Sequence, residues 1–262
     1  MYKNVALSGG GTKGIAILGA LYKLWDKIKI EKIIGVSISS IISMCLVIGY
    51  KPNELYNIFY EIDICKYNND NILGLLNNYG IDDGKSIMKL FSSIIKQKVN
   101  PNITFSECYN KFPIELTIIG TELNTSKSIY YNYNNTPDMK ILDAIRISIS
   151  YPIKFTPVIK DNNFYVDGGL LCPFPINYFP NNDETLGILI IDNNNIKIND
   201  FEEYIFAYVS SLINYITSNL KSNYNNVVEI MLDGFNMPYN LTQLDIKNMY
   251  DIGIKSAEKF IN

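Results

Sequence analysis

The chain has 262 residues, a formal net charge of −3, 47% hydrophobic and 19% charged residues. That length suits one α/β domain, and that balance belongs to a globular protein with a sizeable core, with no electrostatic footprint for nucleic acid and no global pull toward an anionic membrane. Histidine is absent, which excludes Ser-His-Asp and Cys-His catalysis and histidine zinc sites, because each needs an imidazole.

Met1 to Asn4 run straight into the strand-like Val5-Ala6-Leu7, leaving no room for a removable signal peptide. The strand ends in Gly9-Gly10-Gly11-Thr12-Lys13-Gly14, and from Gly14 the apolar residues Ile15, Leu18, Leu21, Tyr22, Trp25 and Ile28 recur at helical spacing. A second strand is expected over 31–36 and a second helix over 37–48, an apolar run too short for a bilayer, which needs about 20 residues. Strand, loop, helix, strand, helix in so few residues indicates a parallel sheet with right-handed crossovers, hence the α/β class.

Over 51–98 helical pieces at 53–64 and 84–98 alternate with Asn and Gly, placed to cover the mouth of a site. Within it, 52–76 interleaves apolar, Asn and acidic residues, and reads either as ordinary core or as a face that dips into a lipid interface. Strands follow at 114–120 and 128–133, then a helix over 138–148 carrying the only arginine, Arg146. A strand at 164–166 leads into Asp167-Gly168-Gly169; strands at 186–191 and 227–232 and helices at 201–220 and 241–261 complete the chain. With no linker or repeat, one domain over 1–262 is expected. Cys45, Cys65, Cys108 and Cys172 form no C-x-x-C pair, so neither a metal knuckle nor a disulfide framework is suggested and a reducing compartment fits. The expected location is cytoplasmic, soluble or peripheral to a membrane.

Three junctions carry the chemistry. In Gly35-Val36-Ser37-Ile38-Ser39 a serine sits between strand and helix, where a sharp turn exposes the hydroxyl and aims the helix N-terminus at it; the alternative is that Ser37 only caps the helix. The geometry asks for very small residues at both flanking positions, and Ser39 stands where glycine is usual. The glycine cluster exposes backbone N–H groups suited equally to an oxyanion or a phosphate. It also satisfies G-x-G-x-x-G, but the second strand ends in Gly35-Val36-Ser37, without the acid a dinucleotide site wants there, and Lys13 precedes Gly14, which breaks the P-loop order. Asp167-Gly168-Gly169 reads either as a turn or as the base.

Together and in this order, these elements resemble the patatin-like phospholipase family, whose G-G-G-x-[RK]-G loop, G-x-S-x-G elbow and D-G-[GA] turn match Gly9 to Gly14, Gly35 to Ser39 and Asp167 to Gly169. The stretches 120–125, 144–152 and 155–158 look like the family as well. The motif-bearing part covers about 5–180. The resemblance implies a three-layer sandwich with a mostly parallel central sheet, and a lipid acyl hydrolase of phospholipase A or esterase type. Ser37 would be the nucleophile, Asp167 the base, and Gly9, Gly10, Gly11, Lys13 and Gly14 the oxyanion hole, supported by Gly35, Ser39, Gly168 and Gly169. Lys13 either steadies that loop or a substrate phosphate, or is simply solvated. The substrate would be a phospholipid or other acyl lipid, with peripheral membrane contact and no cofactor or metal. A catalytically silent lipid-binding module on the same fold is the alternative.

Overall fold

A computed structural model describes residues 1–62, 67, 75, 77–191, 198–199, 201–220, 224–232 and 241–262. Strand β1 (Tyr2–Leu7) is followed by helix α1 (Gly14–Leu24), strand β2 (Ile28–Val36), and helices α2 (Ile38–Val47) and α3 (Pro52–Glu61). Next come β3 (Gly80–Asp82), α4 (Lys85–Lys96), α5 (Phe105–Lys111), β4 (Glu115–Glu122), β5 (Lys127–Tyr131) and α6 (Ile141–Ser148). The rest comprises β6 (Ile153–Phe155), β7 (Val158–Lys160), β8 (Asn163–Asp167), β9 (Thr185–Ile191), α7 (Phe201–Leu220), β10 (Val227–Met231) and α8 (Gln243–Ile261).

Among the described residues the main sheet has eight strands in the order β10-β9-β1-β2-β4-β8-β7, with β5 also on β4. Its first five strands run parallel, and β5, β7 and β8 are antiparallel additions. This is the expected α/β architecture, a mostly parallel central sheet flanked by helices. The pleat sends successive side chains to opposite faces. Val5, Leu7 and Ile33 join the core beneath α1, α2 and α6, whereas Ala6, Ile34 and Val36 meet Phe174, Ile176 and Phe179 on the other face.

Helices α1 and α8 touch backbone to backbone. A methyl group on Gly19 would lie 2.0 Å from the Tyr250 carbonyl oxygen, and one on Gly253 1.9 Å from that of Ala16. One local expectation shifts. Ile28, read as a helical position, begins β2 because it registers with Tyr2 of β1; sheet pairing overrides a marginal periodicity. Of the segment 52–76, Leu55 and Phe59 are buried in the core, whereas Ile72, Leu73 and Leu76 lie outside the described residues. The short elements β3, α5, β6 and β7 have no periodic signature of their own.

Candidate active site

Parallel pairing places Leu7 beside Gly35, so the glycine loop after β1 and the turn after β2 emerge side by side at one sheet edge. Strand β4 then brings in the aspartate. Ile118 and Ile119 pair with β2 and with β5, and Thr121 pairs with β5 and with β8, so β2 and β8 occupy the same edge of β4 end to end. Ile119 faces Val36 and the next residue, Gly120, faces Asp167. Two residues far apart in sequence are thereby set about one strand repeat apart, roughly 3.3 Å along the sheet.

Ser37 has φ 56° and ψ −132° and makes no side-chain cap bond to α2, so helix capping is not what its hydroxyl does. A non-glycine residue held there costs about 1–3 kcal/mol and persists only where its surroundings enforce it. Here the peptide groups on both sides are held. The Ser37 N–H donates to the Ser148 hydroxyl at 2.9 Å, and the Ser37 carbonyl accepts from the Ser40 N–H at 2.9 Å and the Ser40 hydroxyl at 2.6 Å. The Ser37 hydroxyl acts on the Asp167 carboxyl, favouring its ionised form.

Asp167 is only 2% exposed. Its Oδ1 accepts from the Gly169 N–H at 2.7 Å, so it also caps the turn that follows, and its own N–H donates to the Ser150 carbonyl at 2.9 Å. Burial pushes the carboxyl up to about 7, while the bonds from Ser37 and Gly169 hold it down; desolvation disfavours the charged form and the two donors favour it. Gly168 must be glycine for steric reasons, since a Cβ there would lie 2.5 Å from the Ile119 carbonyl oxygen.

The end of α6 and the turn just after it therefore hold both residues from behind, Ser37 through the Ser148 hydroxyl and Asp167 through the Ser150 carbonyl. Arg146 locks that turn. Its guanidinium donates to the Ser150 hydroxyl, to the Asp83 carbonyl at 3.0 Å, and to the carbonyl and hydroxyl of Thr156 at 3.0 Å each. The sequence analysis gave Ser148 and Ser150 no role of their own; the available signal was two serines alternating with isoleucines over 147–150, and both prove fully buried, where hydroxyls are kept when they have a partner.

In the glycine loop, the Gly9 N–H is given to the Pro173 carbonyl at 3.0 Å, Lys13 N–H to the Gly10 carbonyl at 3.1 Å, and Gly14 N–H to the Gly11 and Thr12 carbonyls. The N–H groups of Gly10 and Gly11 have no acceptor among the described residues. Gly9 lies against Ser37, an added Cβ there falling 3.4 Å from the Ser37 Cβ. Lys13 is 3% exposed, which removes the reading of it as a solvated side chain. Crowding at the strand-helix crossing falls on Gly35, where a Cβ would lie 2.3 Å from the Ser39 carbonyl oxygen. The Ser39 side chain instead points to β1, its hydroxyl donating to the Ser8 carbonyl at 2.5 Å. Serine fits at position 39 because it finds an acceptor there.

A cavity of about 210 Å³ adjoins the two loops, lined in part by Thr12, Gly14 and Ile38 and in part by α3 and the start of α8. Among the described residues no cluster of three metal-ligating side chains occurs, and no helix is long and apolar enough to cross a membrane.

The pattern of the family described as patatin-like phospholipase matches residues 5–180. An uncharacterized protein of Acanthamoeba polyphaga mimivirus is 33% identical over 99% of this chain and 93% of its own length. A probable lipid hydrolase of Invertebrate iridescent virus 6 is 37% identical over 67% of this chain and 62% of its own. Among solved structures, VipD from Legionella pneumophila superposes with a TM-score of 0.55 at 15% identity, covering 98% of this chain and 67% of VipD. ExoU, in the crystal structure of its complex with SpcU from Pseudomonas aeruginosa, gives 0.54 at 14% identity, covering 100% of this chain and 53% of ExoU. At such low identity these two likenesses concern the fold.

Proposed function

The chain belongs to the patatin-like phospholipase family, and from that premise we propose that it is a serine carboxylic-ester hydrolase of acyl lipids, acting as one domain over 1–262 through Ser37 and Asp167. The observation that carries the proposal is a Ser37 hydroxyl that acts on a buried carboxyl raised to about 7. A base of that strength is half ionised at neutral pH and strong enough to draw the serine proton as the hydroxyl attacks.

Asp167 takes the proton from Ser37 Oγ while Oγ bonds to the ester carbonyl carbon. The negative charge that develops on the carbonyl oxygen is met by the N–H groups of Gly10 and Gly11, which need no reorganisation to receive it. The proton passes from Asp167 to the departing alcohol, leaving acyl-Ser37. Water, deprotonated by the same carboxylate, then releases the fatty acid. Strain at Ser37 supports the scheme, because the turn that costs energy is also the one that lifts the hydroxyl off the sheet edge.

Contact with a lipid surface finds support in α7. Phe201, Tyr204, Tyr208, Leu212 and Tyr215 are exposed along it, the stretch 204–220 carries no charged residue, and Tyr151, near Asp167, reaches Ser210 and packs at a tilt against Phe206. Tyrosine is favoured at lipid–water boundaries, where its ring is apolar and its hydroxyl stays wet. The deciding experiment incubates the purified chain with mixed phospholipid vesicles, identifies products by mass spectrometry, and maps a fluorophosphonate adduct. Free fatty acid and a single adduct on Ser37 are expected; neither product nor adduct would overturn the reading.

A further inference from the structure

We infer that Arg146 is a positioning residue for Ser37 and Asp167, and that it works by clamping the turn 150–156 onto the turn 82–84, an inference that rests on the hydrolase reading above. Arg146 is the only arginine among 23 basic residues, the rest being lysines. A lysine ammonium is a point charge, whereas a guanidinium is a planar fork that reaches several acceptors at fixed angles. The fork is used in full. It donates to the Ser150 hydroxyl, to the Asp83 carbonyl at 3.0 Å, and to the carbonyl and hydroxyl of Thr156 at 3.0 Å each. The Ser150 hydroxyl in turn donates to the Arg146 carbonyl at 2.7 Å, and the carbonyl of the same serine accepts the Asp167 N–H at 2.9 Å. Arg146 thus reaches the base through one intervening residue and acts on its place, not on the ester.

The other jaw of the clamp is shaped for the guanidinium. Gly84 has φ 72°, and a Cβ there would lie 2.7 Å from Arg146 Nε, so any side chain would displace the fork. Asp82 is 1% exposed, and its Oδ1 accepts from the Gly84 N–H at 2.7 Å. Burial works against the charge on Arg146, and Asp82 and Asp83 work for it. Strand β3 pairs with β6 through Gly80 with Ile153 and Asp82 with Phe155, and the Thr156 N–H donates to the Asp82 carbonyl at 2.9 Å. An independent observation shows what this grip enforces. Ile153 has φ 73°, an outlier for a β-branched residue that persists only where the surroundings over-determine it. The surroundings are β3 on one side and the fork on Thr156 and Ser150 on the other. Released from them, the turn can relax, and the Ser150 carbonyl that fixes the Asp167 backbone moves with it.

Two variants loosen the clamp from opposite ends. Arg146→Lys keeps the charge and removes the fork; Asp82→Asn weakens the seat without touching α6, and carries the test if the first fails to fold. A displacement of about 1 Å at a catalytic group costs on the order of a hundredfold, so kcat on a soluble ester is expected to fall by about tenfold to a hundredfold in each, with KM within about twofold, and fluorophosphonate labelling of Ser37 to slow in step. Arg146→Ala should lose at least as much and regain about threefold or more when millimolar guanidinium is added, an addition that leaves the wild type unchanged; damage elsewhere in the fold has no reason to be mended by that ion. Hydrogen exchange reads the clamp without turnover. In Arg146→Lys the amides of Phe155, Thr156 and Asp167 should exchange about tenfold faster, with those of β1 and α8 as protected as in the wild type. Wild-type kcat in both folded variants, a change confined to KM, or unchanged exchange at those three amides overturns the clamp while leaving hydrolysis in place. No ester turnover and no adduct in the wild type, with exchange still accelerated by Arg146→Lys, would instead refute the hydrolase reading and retain the clamp.

Discussion

Replacing Asp167 by Asn keeps the outline of the side chain and both of its contacts, with the amide oxygen accepting from the Gly169 N–H and the amide nitrogen donating to the Ser37 hydroxyl, but removes the ionisable proton. In the wild type the carboxyl stands at about 7 against an ordinary value of 3.8. Between those values the unfolded chain ionises while the native state stays protonated, so the unfolded state binds fewer protons and stability falls as pH rises through that window. At roughly 1.36 kcal/mol per pH unit the loss accumulates to about 4 kcal/mol. Below pH 4 both states are protonated and the loss vanishes; above pH 7 both are ionised and it is constant. The Asn variant has no such term. Urea unfolding of both proteins from pH 4 to pH 9 is expected to give curves that meet at low pH and diverge until about pH 7, the variant becoming the more stable by a few kcal/mol. Turnover of a soluble ester by the variant should fall by about a thousandfold or more, because no base remains. Stability curves that run parallel at all pH values would refute the argument from burial, and a folded variant retaining near wild-type turnover would refute the role of Asp167 as base.

The same carboxyl predicts that kcat/KM of the wild type on a soluble ester rises with pH and levels off with a midpoint near 7; a midpoint near 4 would contradict a buried base. Ser148→Ala leaves the strained Ser37 N–H without its acceptor, and kcat is expected to drop about tenfold with KM within twofold, with Ser148→Thr restoring much of it; a fall confined to KM would count against a positioning role. Ser39→Gly deletes the bond to the Ser8 carbonyl and should lower unfolding stability by about 1–2 kcal/mol, so an unchanged urea midpoint would mean that the bond contributes nothing. On α7, replacing Tyr204, Tyr208 and Tyr215 together by Ser should reduce hydrolysis of phosphatidylcholine vesicles several-fold and spare a soluble ester, whereas equal losses on both substrates would assign the helix to folding alone.

What the amino-acid sequence determined by itself was the order of elements and the chemistry available to them. Apolar periodicity is local, so α1, α2, α7 and the parallel strands were readable from spacing alone. Steric demands at single positions are local too. Gly35 and Gly168 abut neighbouring backbone so closely that only glycine fits, which is why the motifs stand out in one chain. The absence of histidine removed the imidazole as a base before any fold was known. The tertiary structure alone decided how these parts meet. That Val36 and Asp167 lie end to end along β4 depends on pairing between distant strands, which no local pattern encodes. Which N–H groups of the glycine loop stay open depends on Pro173, and the strength of Asp167 as a base depends on the burial around it. The roles of Ser148 and Ser150 arise in the same way, because a hydroxyl or a carbonyl becomes a positioning group only when the fold brings a donor to it from more than a turn away.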